Sequence, residues 1–130
     1  MNPTLERLYQ EIGLSALSSS DGLQGKLLIY SEVEDGVVSV DLLYEDDRGN
    51  VRFRFGDKNL REIVYSFWIH WQDQPGNREW RVMCCTILHG QFEIDLIYPE
   101  QTGADEALAD RRLAAIKKHF GDLEVDYSKP

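Results

Sequence analysis

A chain of 130 residues, with 42% hydrophobic and 11% aromatic side chains, is long and apolar enough to bury a core without disulfides or metal, and its composition fits a folded globular protein rather than a disordered one. Asp and Glu total 23 against 14 for Lys and Arg, and the resulting net charge of −9 disfavours direct contact with nucleic-acid phosphates. One domain spanning residues 1–130 is expected.

The apolar residues Leu5, Leu8, Tyr9 and Ile12 recur at helical spacing, so a helix is predicted from Pro3 to about Leu17, with Gly13 as a candidate end signal. Ser18 to Gly22 reads as a loop. Lys26 to Glu34 is an apolar, β-branched strand, and Asp35-Gly36 supplies a tight turn because both residues tolerate positive φ. Val37 to Tyr44 follows as a second strand, with Val38, Val40, Leu42 and Tyr44 on one face. Glu45 to Asn50 is a polar turn, and Val51 to Phe55 alternates strictly as a third strand. Asp57 is placed to cap the next helix, whose apolar stripe is Leu60, Val64, Phe67, Trp68 and Trp71. A loop through Pro75-Gly76-Asn77 leads to two strands between Trp80 and Pro99, joined at His89-Gly90. On the second of them Phe92, Ile94, Leu96 and Tyr98 face the core, while Glu93 and Asp95 face away. A last helix is predicted to start at Thr102-Gly-Ala-Asp, bury Ala109, Leu113, Ile116 and Phe120, and stop at Gly121.

The order helix, three strands, helix, two strands, helix implies an α+β fold with a mainly antiparallel five-stranded sheet. Helices are expected to pack on one face of that sheet and leave the other partly exposed.

Residue types able to do chemistry are present, but not in productive patterns. His70, His89 and His119 show no metal-ligand spacing with one another or with cysteine, so no metal site is expected. Cys84 and Cys85 are adjacent, and strand neighbours point to opposite faces, so a bond between them would be strained. The lack of a disulfide framework favours a reducing compartment. Either thiol could act as a nucleophile with His89 as base, which leaves a small cysteine hydrolase as an alternative. A cysteine in an apolar strand is more often a small buried hydrophobe, and no cysteine-hydrolase motif surrounds this pair. The carboxylates Glu32, Glu34, Asp41, Glu93 and Asp95 fall on outward strand positions, which reads as solvated surface rather than an acid–base pair. There is no glycine-rich phosphate loop, so no catalytic residue and no cofactor is assigned. The N-terminus carries no signal-peptide pattern and no apolar run reaches membrane length, so a cytoplasmic location without membrane contact is expected.

The chain resembles the YezG-like immunity proteins, small bacterial antitoxins to polymorphic or contact-dependent toxins. The motifs carrying the likeness are a Leu-Tyr helix (Leu8-Tyr9), the strand Lys26-Leu-Leu-Ile-Tyr-Ser-Glu-Val33, the strand Val38-Ser-Val-Asp-Leu-Leu-Tyr44, a long helix, a strand opened by Trp80, and Gly90-Gln-Phe-Glu-Ile-Asp-Leu-Ile-Tyr98. They run in order through residues 5 to 98, with Arg81-Val-Met-Cys-Cys85 more apolar than the pattern and the final helix longer. The resemblance implies a non-enzymatic, cytoplasmic protein that neutralises a toxin domain, such as a nuclease, by tight stoichiometric binding. An acidic surface would compete for the basic side chains such a toxin uses on phosphates. The candidate contacts are Glu32, Glu34, Asp41, Glu45, Asp46, Asp47, Glu93 and Asp95, with Tyr30 and Trp80 as anchors. A secretion chaperone or adaptor is the other binding class that a small acidic α+β protein fits.

Overall fold

The computed structural model describes residues 2–20, 25–103 and 106–128. Helix α1 spans Pro3–Ser19; the Asn2 side chain caps it by accepting from the Leu5 N–H at 2.8 Å, and Pro3 at its first turn has no N–H to satisfy. Gly13 does not end this helix. The Phe92 ring lies so close that a Cβ at position 13 would come within 2.0 Å of it, so glycine is there to admit the ring. Ser18 and Ser19 are therefore helical rather than loop, Ser20 caps the C-terminus, and Asp21 and Gly22 of the expected loop lie outside the described residues.

Six strands follow: β1 (Leu27–Glu34), β2 (Val37–Glu45), β3 (Val51–Phe55), β4 (Val82–Leu88), β5 (Gln91–Ile97) and β6 (Val125–Asp126). They form one mixed sheet in the order β5-β4-β1-β2-β3-β6, antiparallel throughout except where β6 runs parallel to β3. Both tight hairpins use the turn chemistry read from the sequence: Asp35 and Gly36 have φ of 52° and 75°, and His89 and Gly90 have 51° and 77°. Helix α2 (Lys58–Gln72) starts where Asp57 accepts from the Leu60 N–H at 2.8 Å. After a short 3-10 turn at Pro99–Gln101, helix α3 covers Leu108–Phe120 and ends as the Gly121 N–H donates to the Lys117 carbonyl.

The two faces of the sheet follow from the period of two along each strand. Leu27, Ile29, Val33, Val40, Leu42, Tyr44, Met83, Cys85 and Ile87 face α1 and α2 and make the larger core with Leu5, Leu8, Ile12, Leu60, Val64 and Phe67. Leu28, Tyr30, Leu43, Val51, Phe53, Val82 and Cys84 face the other way and pack with Ile116 and Phe120 of α3. Helices thus lie on both faces, which corrects the expectation of a one-sided sheet. The five-stranded count is corrected as well: β6 is two residues long, too short to show any period, and is set by the chain returning from α3 to the edge of β3.

Helix α3 is also shorter and differently turned than its sequence suggests. It begins at Leu108, after the Thr102-Gly103 signal, and Ala104 and Asp105 lie outside the described residues. Ala109 and Leu113 are exposed, and Arg111 takes a place on the buried side with Ile116 and Phe120. The reason is a carboxylate on the sheet that needs a cation above it. Among the described residues no helix is long and apolar enough to cross a membrane.

Candidate interaction surface

The α3 side of the sheet carries most of the acidic residues singled out from the sequence, and it divides them sharply into buried and exposed. Tyr30 and Glu32 are successive α3-facing residues of β1, and Asp41 of β2 pairs with Tyr30. Arg111 reaches down with Nε at 3.0 Å from Glu32 Oε2 and Nη2 at 2.6 Å from Oε1, a bidentate grip. The Tyr30 hydroxyl donates to Glu32 Oε2 at 2.6 Å. Arg112, the next residue of α3, places Nη1 2.9 Å from Asp41 Oδ2 and its guanidinium 4.9 Å from the centre of the Phe53 ring. Burial raises the Asp41 carboxyl above its ordinary range even though the Arg112 hydrogen bond pulls the other way. Burial, then the hydrogen bond to Glu32, pushes the Tyr30 phenol well up.

Glu32 and Asp41 therefore do not stand in solvent. They are 3% and 4% exposed and are the polar anchors of α3. Tyr30 and Trp80, each 1% exposed, are core residues rather than surface anchors. The Trp80 carbonyl accepts from the Trp68 indole at 2.9 Å, which ties the lead-in of β4 to α2. Strand alternation placed Glu32 and Asp41 on the correct face; what it lacked was the helix that covers that face. The readable signal was Arg111-Arg112 in the middle of an amphipathic helix, two cations in need of buried partners.

The remaining carboxylates lie in three separate places. Glu34 is at one end of β1, with Arg81 Nη2 3.0 Å away. Glu45, Asp46 and Asp47 are at the other end, in the turn after β2, where Asp46 Oδ1 accepts from the Arg48 and Asn50 N–H groups and so shapes the turn. Glu93 and Asp95 are exposed neighbours on the α3-facing side of β5, aligned with Thr86 and Cys84 of β4. Asp95 has Lys118 nearby, at 3.8 Å with both side chains largely in solvent, a contact worth little.

Between α3 and the β4–β5 hairpin lies a cavity of about 230 Å³, walled by Val82, Cys84, Ile97, Ala114, Ala115 and Lys118. Burial pushes the Cys84 thiol up to about 12, with Asp95 adding to the effect. Cys85 points to the opposite core and its thiol is likewise pushed up to about 12 by burial. Neither is a thiolate near neutral pH, and the nucleophile needs to be one. His89 sits at the exposed tip of the hairpin. His119 lines the cavity, its pKa held below 6.5 by burial and by the cations Lys26 and Lys118. Among the described residues no three His, Cys, Asp or Glu side chains are grouped so as to hold a metal ion.

No protein-family model matches the chain, and no curated protein matches it.

Proposed function

We propose that the protein is a cytoplasmic immunity protein of the YezG-like kind, one that neutralises a toxin domain by stoichiometric binding and performs no chemistry of its own. The observation that carries this reading is the contrast within one sheet face. Glu32 and Asp41 are consumed by Arg111 and Arg112, whereas Glu93 and Asp95 are left to solvent on a chain of net charge −9. Two exposed carboxylates on one strand, with the largely solvated Lys118 beside Asp95, form a negative patch, and such a patch attracts a basic partner and speeds its encounter. A nuclease toxin offers the complementary surface, because it must hold phosphates with Lys and Arg. The order of the motifs from Leu8-Tyr9 to Tyr98 supports the same class, and the buried, protonated thiols favour it over a cysteine hydrolase.

Glu93 and Asp95 form the centre of the proposed contact set, with Glu34, Glu45, Asp46 and Asp47 at the ends of strands β1 and β2. The test is capture and neutralisation of any toxin domain encoded beside this gene, measured by calorimetry and by survival of cells expressing that toxin. Wild type should bind at one to one and protect. The double variant Glu93→Lys/Asp95→Lys should associate roughly tenfold more slowly at low salt, the loss fading as salt rises. Unchanged affinity and protection in that variant would remove the β5 patch from the interface. Failure of the wild type to bind or protect would remove the immunity reading itself.

A further inference from the structure

Strand β5 is an edge. It is hydrogen-bonded to β4 on one side and, among the described residues, to no strand on the other. The phase of its backbone follows from the hairpin. Leu88 and Gln91 flank the two-residue turn, whose positive φ values at His89 and Gly90 are those of a type I′ turn. The residues flanking such a turn form a hydrogen-bonded pair, and the antiparallel ladder alternates from there. Gln91, Glu93, Asp95 and Ile97 thus turn their N–H and C=O groups toward β4. The bond from the Arg81 N–H to the Ile97 carbonyl at 2.8 Å agrees with that phase. Phe92, Ile94 and Leu96 turn theirs off the edge, where no other described backbone group meets them.

Sheet edges are normally blunted by charged side chains, lysine above all, by proline, by a bulge, by shortness or by a covering element. β5 is seven residues long, keeps one continuous register with β4, and contains neither proline nor lysine. Its charges are Glu93 and Asp95, and they select among visitors. A second copy of β5 would set carboxylate against carboxylate on that face, which is destabilising. A strand with Lys or Arg at alternate positions would meet them favourably. On the opposite face the half-buried Phe92, Ile94 and Leu96 offer apolar neighbours to the alternate side chains of the same strand.

We propose that β5 is a docking edge at which an extended segment of a basic protein partner adds as a further strand, its backbone pairing with Phe92, Ile94 and Leu96 and its Lys or Arg side chains meeting Glu93 and Asp95. This deepens, and rests on, the reading of the protein as a binder of a basic partner. Main-chain pairing supplies affinity and the alternating side chains supply selectivity.

The test uses the full chain, labelled for amide NMR, and a synthetic peptide of alternating Val and Lys. Binding should slow hydrogen exchange at the amides of Phe92, Ile94 and Leu96. Methylating the peptide's alternate backbone nitrogens, which leaves the protein untouched, should weaken it at least about tenfold. The same peptide with Glu in place of Lys should fail to bind, and Glu93→Lys/Asp95→Lys should reverse that preference. Protection at other residues, or indifference to N-methylation, would overturn the proposal. So would slowed exchange at these three amides that grows with protein concentration alone, since the occupant would then be a second copy. A toxin domain that is neutralised without protecting these amides refutes the docking edge and leaves the immunity reading standing; a peptide that docks on β5 while no toxin is neutralised does the reverse.

Discussion

Replacing Arg111 by Met should be the most damaging single change on the α3 face. Its guanidinium is the only cation placed on Glu32 among the described residues, through two hydrogen bonds of 3.0 and 2.6 Å, and Glu32 is 3% exposed. Removing one member of a buried pair strands the other charge in low dielectric, at a cost of about 3–5 kcal/mol. With a urea dependence of about 2 kcal/mol per molar, the unfolding midpoint should fall by roughly 1.5–2.5 M. Removing the whole network is a different perturbation. Glu32→Leu with Arg111→Met leaves no charge behind, but it orphans the Tyr30 hydroxyl, worth about 1–3 kcal/mol, so Tyr30→Phe is added to complete the apolar replacement. The triple variant should return to within about 2 kcal/mol of wild type, because an apolar set of similar volume is often as stable as a buried ion pair. Urea titration followed by tryptophan fluorescence and far-UV circular dichroism reads the two single variants, their double and the triple. Simple addition of the Glu32→Leu and Arg111→Met losses in their double variant would show that the two side chains do not act as a unit, and the account of how α3 is anchored would be wrong.

Gly13→Ala, which in an exposed helix would stabilise by up to about 1 kcal/mol, should here cost about 1–3 kcal/mol through collision with the Phe92 ring, and Phe92→Leu should relieve much of it in a thermal melt of the pair. Native alkylation with iodoacetamide should be slow at both thiols near neutral pH and faster at Cys84, which borders the cavity, than at Cys85; rapid labelling of either would revive a nucleophilic role. His119 binds its proton more weakly folded than unfolded, so the stability contributed by the neutral ring is present above the unfolded value of 6.5 and is lost as pH falls from there through the lower folded pKa. Melting temperature between pH 7.5 and 5 should decline less steeply in His119→Gln, and an identical decline would exclude this histidine as the cause.

Much of the fold was legible because the signals were local and repeated. The period of two in Val38, Val40, Leu42 and Tyr44, the helical stripe of Leu60, Val64 and Phe67, the Asp57 cap and the two turns Asp35-Gly36 and His89-Gly90 each state a backbone preference within a few residues. The β5 face was legible for the same reason, and Glu93 and Asp95 do stand in solvent. The misreadings share one cause. Gly13 resembles a helix end until Phe92, from a strand far along the chain, is known to lie on it. Glu32 and Asp41 resemble surface until α3 is known to cross above them, and the same docking turns Leu113 outward and Arg111 inward.

By itself the sequence determined five of the six strands and the presence of three helices, which residues of those strands share a face, and that the chain is acidic, because these depend on period, turn chemistry and composition. Only the tertiary structure decided which of those faces meets water. Burial depends on what packs against a face, and no strand's own pattern records whether a helix about eighty residues away will cover it, as α3 covers Glu32, or leave it in solvent, as at Glu93 and Asp95.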